Sequence, residues 1–373
     1  MIETYSPLDS LKSGCWFKLI CGASFQHLPA IRSLALAYTL AGTDCIDVAA
    51  DPAAIAAAKE AIAIARQIAV TRDAPSLPKS HPRCPELAEE SPVTRYPLST
   101  PWLMVSLNDG EDPHFRKAEF DATQCPANCL APCERVCPTD AIAFTEIVSG
   151  VIDARCYGCG RCLPACPENL IFARSRVSAP EVVVPLVLQQ GIDAIEIHTR
   201  SGNFEAFRRL WKAIAPICDR LKLLSISCSD GPNLQDYLKS LHDLISPLPC
   251  PLIWQTDGRP MSGDLGKSTT HATVKLARKV LNCGIPGYVQ LAGGTNQNTA
   301  SVLKENGLLG RVAGVAYGSY ARKHLAPLLD RLEARSFADG SKPQLERYPD
   351  LLWQTVALAR KPISQIKPFY NDQ

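Results

Sequence analysis

The stretch AIEIHTRSGNFEAFRRLWKAIAPICDRLKLLSISC, residues 194–228, reads as a strand, a helix and a second strand in that order. Ala194 to His198 and Leu223 to Cys228 are short and strand-like, and Phe204 to Ala215 between them is helical. The same unit repeats outward in both directions. Upstream, Trp16 to Ser24, Cys45 to Ala50 and Trp102 to Leu107 read as strands, with helices at Leu28 to Ala41 and from Asp51 to about Val70. Asp51 offers the N-cap side chain there, and Pro52 suits the first helical position. Downstream, strands at Leu252 to Thr256, Tyr288 to Leu291 and Val312 to Tyr317 alternate with helices at Leu234 to Leu244, Thr270 to Leu281, Thr299 to Asn306 and Ala321 to Leu332. Alternation of this kind predicts a parallel sheet, and eight units predict its closure into an α/β, (β/α)8-type barrel. An open doubly wound sheet is the alternative. A Pro-rich loop occupies Pro75 to Pro101, Ser178-Ala-Pro-Glu181 is a capping-box pattern, and an amphipathic helix near Leu351 to Ala359 precedes a polar end. The expected division is a first barrel part over 1–110, an insertion over 111–177, a second barrel part over 178–335 and a helical tail over 336–373.

Charge is nearly balanced, 39 Lys and Arg against 37 Asp and Glu, so nothing asks for nucleic acid or an anionic membrane as partner. The start of the chain lacks the basic and apolar regions of a secretory signal. The most apolar helix, Ile55 to Val70, is interrupted by Lys59, Glu60 and Arg66, which argues against an integral membrane segment. The expectation is a soluble cytoplasmic protein. The chain has 16 cysteines, and eight crowd into Cys125 to Cys166. A disulfide scaffold spreads its bridges through a short secreted chain, so these read as metal ligands. Cys15, Cys21, Cys45, Cys84, Cys218, Cys228, Cys250 and Cys283 are scattered without ligand spacing.

Cys156-x2-Cys159-x2-Cys162-x3-Cys166-Pro167 has the spacing of a bacterial ferredoxin. Three closely spaced thiolates wrap one corner of a [4Fe-4S] cubane, and the fourth points to a different cluster. Gly158 and Gly160 let the backbone turn tightly between them. Upstream stands Cys125-x3-Cys129-x3-Cys133-x3-Cys137-Pro138. Its second half matches the end of the same motif, while its first half has three intervening residues where two are normal. With the usual exchange of the fourth cysteine, Cys137 joins Cys156, Cys159 and Cys162. Cys166 then joins Cys125, Cys129 and Cys133, giving two [4Fe-4S] clusters in a ferredoxin-like insertion. The wider spacing leaves two other outcomes open, a first run holding no cluster and a cluster whose ligands differ at Cys125.

Weaker signals gather at predicted strand ends: Asp51, Asp109, His198, Cys228 and Asp257. Gly293 and Gly294 follow strand seven and Gly318 follows strand eight, where barrels often bind phosphate, so a phosphate or flavin there is a further expectation. Gly263-Asp-Leu-Gly-Lys-Ser-Thr269 resembles a P-loop but has Met261 where the first glycine belongs. It reads instead as a flexible loop with Lys267 facing the barrel mouth. His27, His114, His242, His271 and His324 show no partner pattern.

The opening WFKLICGASFQHLPAIRSLALAYTLAGTDCIDVAADP, the window CPANCLAPCERVCPTDAI followed by CYGCGRCLPACP, and the stretches WQTDGRPMSGD and GYVQLAGGTNQNT together resemble the cyanobacterial light-dependent period protein (LdpA) family. The resemblance spans nearly the whole chain. It implies an iron–sulfur protein that senses redox state and adjusts the circadian period to light. It also implies clock-input and clock proteins as partners, including a sensor kinase and KaiA. Two other classes stay open. One is a barrel oxidoreductase passing electrons between the clusters and a flavin or small substrate. The other is an electron carrier, with redox proteins as partners, joined to an inert domain.

Overall fold

Eight parallel strands close on themselves in the computed structural model, which describes residues 6–70, 99–145, 149–179, 185, 189–258 and 267–367. In chain order they are β1 (Trp16–Gly22), β2 (Cys45–Ala49) and β3 (Trp102–Asn108), then, after an insertion carrying β4 (Arg116–Glu119), β5 (Ile142–Phe144), β6 (Ser149–Val151) and β7 (Phe172–Ser175), β8 (Ala194–Thr199), β9 (Leu223–Ser229), β10 (Leu252–Asp257), β11 (Tyr288–Ala292) and β12 (Gly314–Tyr317). β1 pairs with β2 on one side and β12 on the other, Lys18 beside Cys45 and Trp16 beside Gly314. That double pairing excludes the open sheet. The closing contact is tight: a Cβ on Gly314 would stand 1.8 Å from the Trp16 carbonyl oxygen.

Period-two alternation sorts each strand into two faces. Outward residues such as Phe17, Leu19, Ile46, Val48, Val105, Ile195 and Ile197 pack under the helices in one large core. Inward residues form two kinds of layer. At the N-terminal end Trp16, Trp102, Met104, Ala194, Leu223 and Ile253 fill the barrel, closed below by Leu11 of the short helix Pro7–Lys12. Ser6 and Asp9 form a capping box for that helix, which sequence reading passed over. Above this floor the interior turns polar, with Lys18, Asp47, Glu196, Gln255 and Gln290 all buried.

The helix Leu28–Ala41 ends where Gly42 adopts the left-handed conformation, as helix C-termini commonly do. It packs against the helix Pro52–Val70 and against Pro349–Ser364 at the far end of the chain. Leu351, Leu352, Val356 and Ile363 of that last helix are buried. Arg32 adds a link to Glu346. The C-terminal helix is therefore part of the barrel shell.

The insertion leaves the barrel after β3 and returns before β8. Its neck is closed by Asn108, whose Nδ2 donates to Arg176 O at 2.7 Å and whose Oδ1 accepts from Ser178 N at 2.9 Å and Oγ at 2.8 Å. β4 pairs antiparallel with β7 and β5 with β6 around a small core that includes Ala118, Ala141, Ile142 and Ile171. Tyr157 belongs to the barrel's core, with the Arg322 guanidinium 4.6 Å above its ring. Lys117 Nζ donates to Gln26 Oε1, Asp153 O and Asp153 Oδ2, each at 2.7 Å. Most of the Pro-rich loop, the far half of the Ser178 capping pattern and residues 259–266 of the loop resembling a P-loop lie outside the described residues. No described helix is long and apolar enough to cross a membrane.

Candidate iron–sulfur centre

Cys137, Cys156, Cys159 and Cys162 line one pocket, together with Ala118, Gly158 and Gly160. Cys137 comes from the first cysteine run and the other three from the second. Cys159 and Cys162 both have the Cys137 and Cys156 sulfurs as electrostatic neighbours. Cys166 has different company: it neighbours Cys125 and Cys133, as Cys129 does. The eight thiols thus fall into two sets of four, each drawing one cysteine from the opposite run.

The surroundings suit negatively charged sulfur. Ala118 N donates to Cys156 Sγ at 3.3 Å and Ala141 N to Cys137 Sγ at 3.1 Å, so β4 and the approach to β5 each aim an amide at a thiol. Burial, then the neighbouring thiols, push Cys162 up to about 12, and burial also raises Cys159, Cys125 and Cys133. Crowded thiols resist ionising by themselves, whereas a bound cation draws them into thiolates. The donor set therefore fits an iron–sulfur cluster.

Gly158 holds the turn between Cys156 and Cys159. Its φ is +77°, and a Cβ there would come within 2.2 Å of the Arg116 carbonyl oxygen and 3.0 Å of that of Pro113. Both neighbours are backbone, so neither can swing away. Gly158→Ala is expected to push this turn off β4 and loosen the pocket of Cys137, Cys156, Cys159 and Cys162. Iron per chain after anaerobic reconstitution should fall toward half; an unchanged iron content would show that the turn tolerates displacement.

Among the strand-end residues, Asp51 caps its helix, accepting from Ala53 N at 2.9 Å and Ala54 N at 3.0 Å. Asp109 accepts from Thr199 and Asn203, and burial raises its carboxyl. Burial pushes the Cys228 thiol up to about 12, which keeps it un-ionised. Gly293 and Gly294 follow β11, where their carbonyls accept from the Thr273 and Thr269 hydroxyls, and Gly318 precedes the helix Ser319–Ala338. Lys267 begins the helix Lys267–Asn282.

Two groups escaped sequence reading. The first is the interior pair Lys18 and Glu196, joined by a direct salt bridge. The signal was present in AIEIH, where alternation puts Glu196 and His198 on one face, and in WFKLICG, where Lys18 breaks an apolar run. The second is His114, which has partners after all: its Nδ1 lies 2.8 Å from Asp112 Oδ1, and its ring stands 5.3 Å from that of His198. Burial works against charge on both imidazoles, but the carboxylates around them prevail and raise both.

Residues 125–177 match the LdpA Fe-S cluster-binding domain family, and residues 186–365 match the Light dependent period A C-terminal domain family. Light dependent period A of Synechococcus elongatus is 46% identical over 366 residues, covering 97% of this chain and 94% of that protein. An uncharacterized ferredoxin of Methanocaldococcus jannaschii is 44% identical over 48 residues, 13% of this chain and 32% of its own length. A component of the ion-translocating oxidoreductase complex of Methanosarcina acetivorans is 35% identical over 52 residues, 13% of this chain and 20% of its own.

Proposed function

The chain belongs to the light dependent period A family, and from that premise we propose that its clusters sense cellular redox state and pass it to the circadian clock. The observation that carries the reading is the sorting of eight thiols into two sets of four. Cys137, Cys156, Cys159 and Cys162 would hold one [4Fe-4S] cluster, and Cys125, Cys129, Cys133 and Cys166 a second. Such clusters supply one-electron exchange. The amides of Ala118 and Ala141 favour negative charge on the sulfurs of Cys156 and Cys137, and so favour the reduced state. Tyr157, next to Cys156 in sequence, sits in the barrel core under Arg322, so a shift of the cysteine turn is felt by the barrel. Clock-input proteins, a sensor kinase and KaiA among them, are the partners the family suggests.

The test replaces the resident protein in a cyanobacterium with wild type or Cys159→Ser and follows the circadian period across light intensities. Wild type should restore the dependence of period on light, and Cys159→Ser should leave it flat. Full restoration by Cys159→Ser at normal protein levels would remove the redox-sensing role. Flavin bands in the spectrum of the purified protein would instead favour the oxidoreductase reading, with electrons passing between cluster and barrel.

A further inference from the structure

Asp112, His114 and His198 each bring a donor atom to one spot at the mouth of the barrel, the three within 4.8 Å of one another. We propose that this spot binds a single divalent first-row transition ion, apart from the cysteine thiols, with Asp257 behind His114 as the carboxylate that holds its ring.

The four residues come from three places in the chain. Asp112 and His114 lie at the start of the insertion, where Asp112 caps the 3-10 turn Pro113–Phe115 and accepts from His114 N at 2.8 Å. His198 stands near the end of β8 and Asp257 at the end of β10. The site exists only when the insertion is seated on the barrel.

Each imidazole has one nitrogen held and one left over. His114 Nε2 faces Asp257 Oδ2 at 3.5 Å, which leaves Nδ1. His198 Nε2 is 3.1 Å from Glu196 Oε1, which leaves Nδ1. Metal-binding histidines almost always tie their second nitrogen to a carboxylate or carbonyl in this way, fixing the tautomer and the ring. The two nitrogens left over both face Asp112: His198 Nδ1 is 3.8 Å from Asp112 Oδ2, and His114 Nδ1 is 2.8 Å from Asp112 Oδ1. Direct hydrogen bonds between such groups run nearer ~2.7–3.2 Å. Two donors that share an ion at ~2.1 Å stand roughly 3–4 Å apart. The 3.8 Å spacing is that of co-ligands, and the 2.8 Å contact is one that an ion would replace.

Asp257 supplies an independent sign. It is only 6% exposed, and its Oδ1 has no hydrogen-bond partner among the described residues. An unsatisfied buried carboxylate oxygen is costly, and the positive charge of an ion on His114, whose far nitrogen Asp257 faces, would offset that cost. The donor set selects the ion. Two imidazoles with a carboxylate and no thiolate suit zinc, manganese or ferrous iron. Calcium and magnesium prefer all-oxygen sites, and cuprous copper prefers sulfur.

The test uses full-length, cluster-loaded protein, dialysed anaerobically against EDTA, with Mn2+ as probe because manganese favours nitrogen and oxygen over sulfur. Loss of the free Mn2+ resonance in electron paramagnetic resonance counts the bound ion. One Mn2+ per chain is expected. His114→Ala and Asp257→Asn should each weaken binding by at least ~10-fold, with cluster iron unchanged. Asp257→Asn is nearly isosteric and removes no observed hydrogen bond at Oδ1, so it reports on the ion even if His114→Ala misfolds. A wild type that binds no Mn2+, or an Asp257→Asn protein that binds it as tightly as wild type, would overturn the proposal.

Discussion

Anaerobically reconstituted protein is expected to carry about eight irons and about eight acid-labile sulfides per chain, as two cubanes of four irons require. Cys159→Ser should remove about four of each, and Cys166→Ser should remove the other four. The decisive comparison is Cys137→Ser. Cys137 lies in the first cysteine run but lines the pocket of Cys156, Cys159 and Cys162. Its loss should therefore leave the same residual cluster, with the same resonance when reduced, as Cys159→Ser leaves. If Cys137→Ser matched Cys133→Ser instead, the exchange between runs would be wrong. A wild-type count near four would leave only one site. The core around Ala118, Ala141, Ile142 and Ile171 is small and shares its packing with Cys133, Cys156 and Cys162. So few apolar groups lean on metal bonds for stability. The insertion should loosen in Cys159→Ser while the circular dichroism of the barrel persists.

The barrel was legible because its strands announce themselves locally. WLMVSL and CIDVAA are short apolar runs, and each is bounded by a helix or a loop with its own signals, such as the Asp51 cap. The ferredoxin spacing was equally local. What escaped is what depends on distant residues. β4 and β7 are four residues each, RKAE and FARS, with no alternation of hydrophobicity to reveal them. His114 has Asp112 two residues away, but it meets His198 and Asp257 only when the insertion folds back over β8 and β10. Lys18 is a lone charge in an apolar strand, and its partner, Glu196, is 178 positions away. An inward-facing polar layer is written one residue per strand, and no window along the chain contains it.

That layer carries the other large effect. Lys18 is fully buried, ion-paired with Glu196, and 3.7 Å from Asp47 Oδ2. Glu196 also accepts from Ser225 Oγ at 2.8 Å and Gln255 Nε2 at 2.6 Å. Lys18→Met keeps much of the stem's volume and removes the ammonium, leaving the carboxylate buried without its main counter-charge. Breaking a buried pair in this way costs about 3–5 kcal/mol, a large share of the ~5–15 kcal/mol that stabilises a typical domain. Lys18→Met with Glu196→Gln should recover part of that loss, because the Glu196 carboxylate is no longer buried without its counter-charge.

The two carboxylates pull the pH dependence in opposite directions. Burial disfavours the Glu196 charge, but Lys18 and His198 outweigh it and hold this carboxyl below its usual value of 4.5. Its stabilising contribution is complete above that value and is lost as pH falls through the lower folded value. Asp47 behaves inversely. Burial pushes it from 3.8 up to about 6 against the attraction of Lys18. Between those values the folded protein keeps a proton that the unfolded chain releases, so stability falls as pH rises through this window. Asp47→Asn removes that titration. Denaturation at pH values spanning the window should show wild type losing stability toward pH 6 relative to Asp47→Asn. The Asn variant should therefore gain on wild type as the pH rises, and parallel curves for the two proteins would show that Asp47 ionises at its ordinary value.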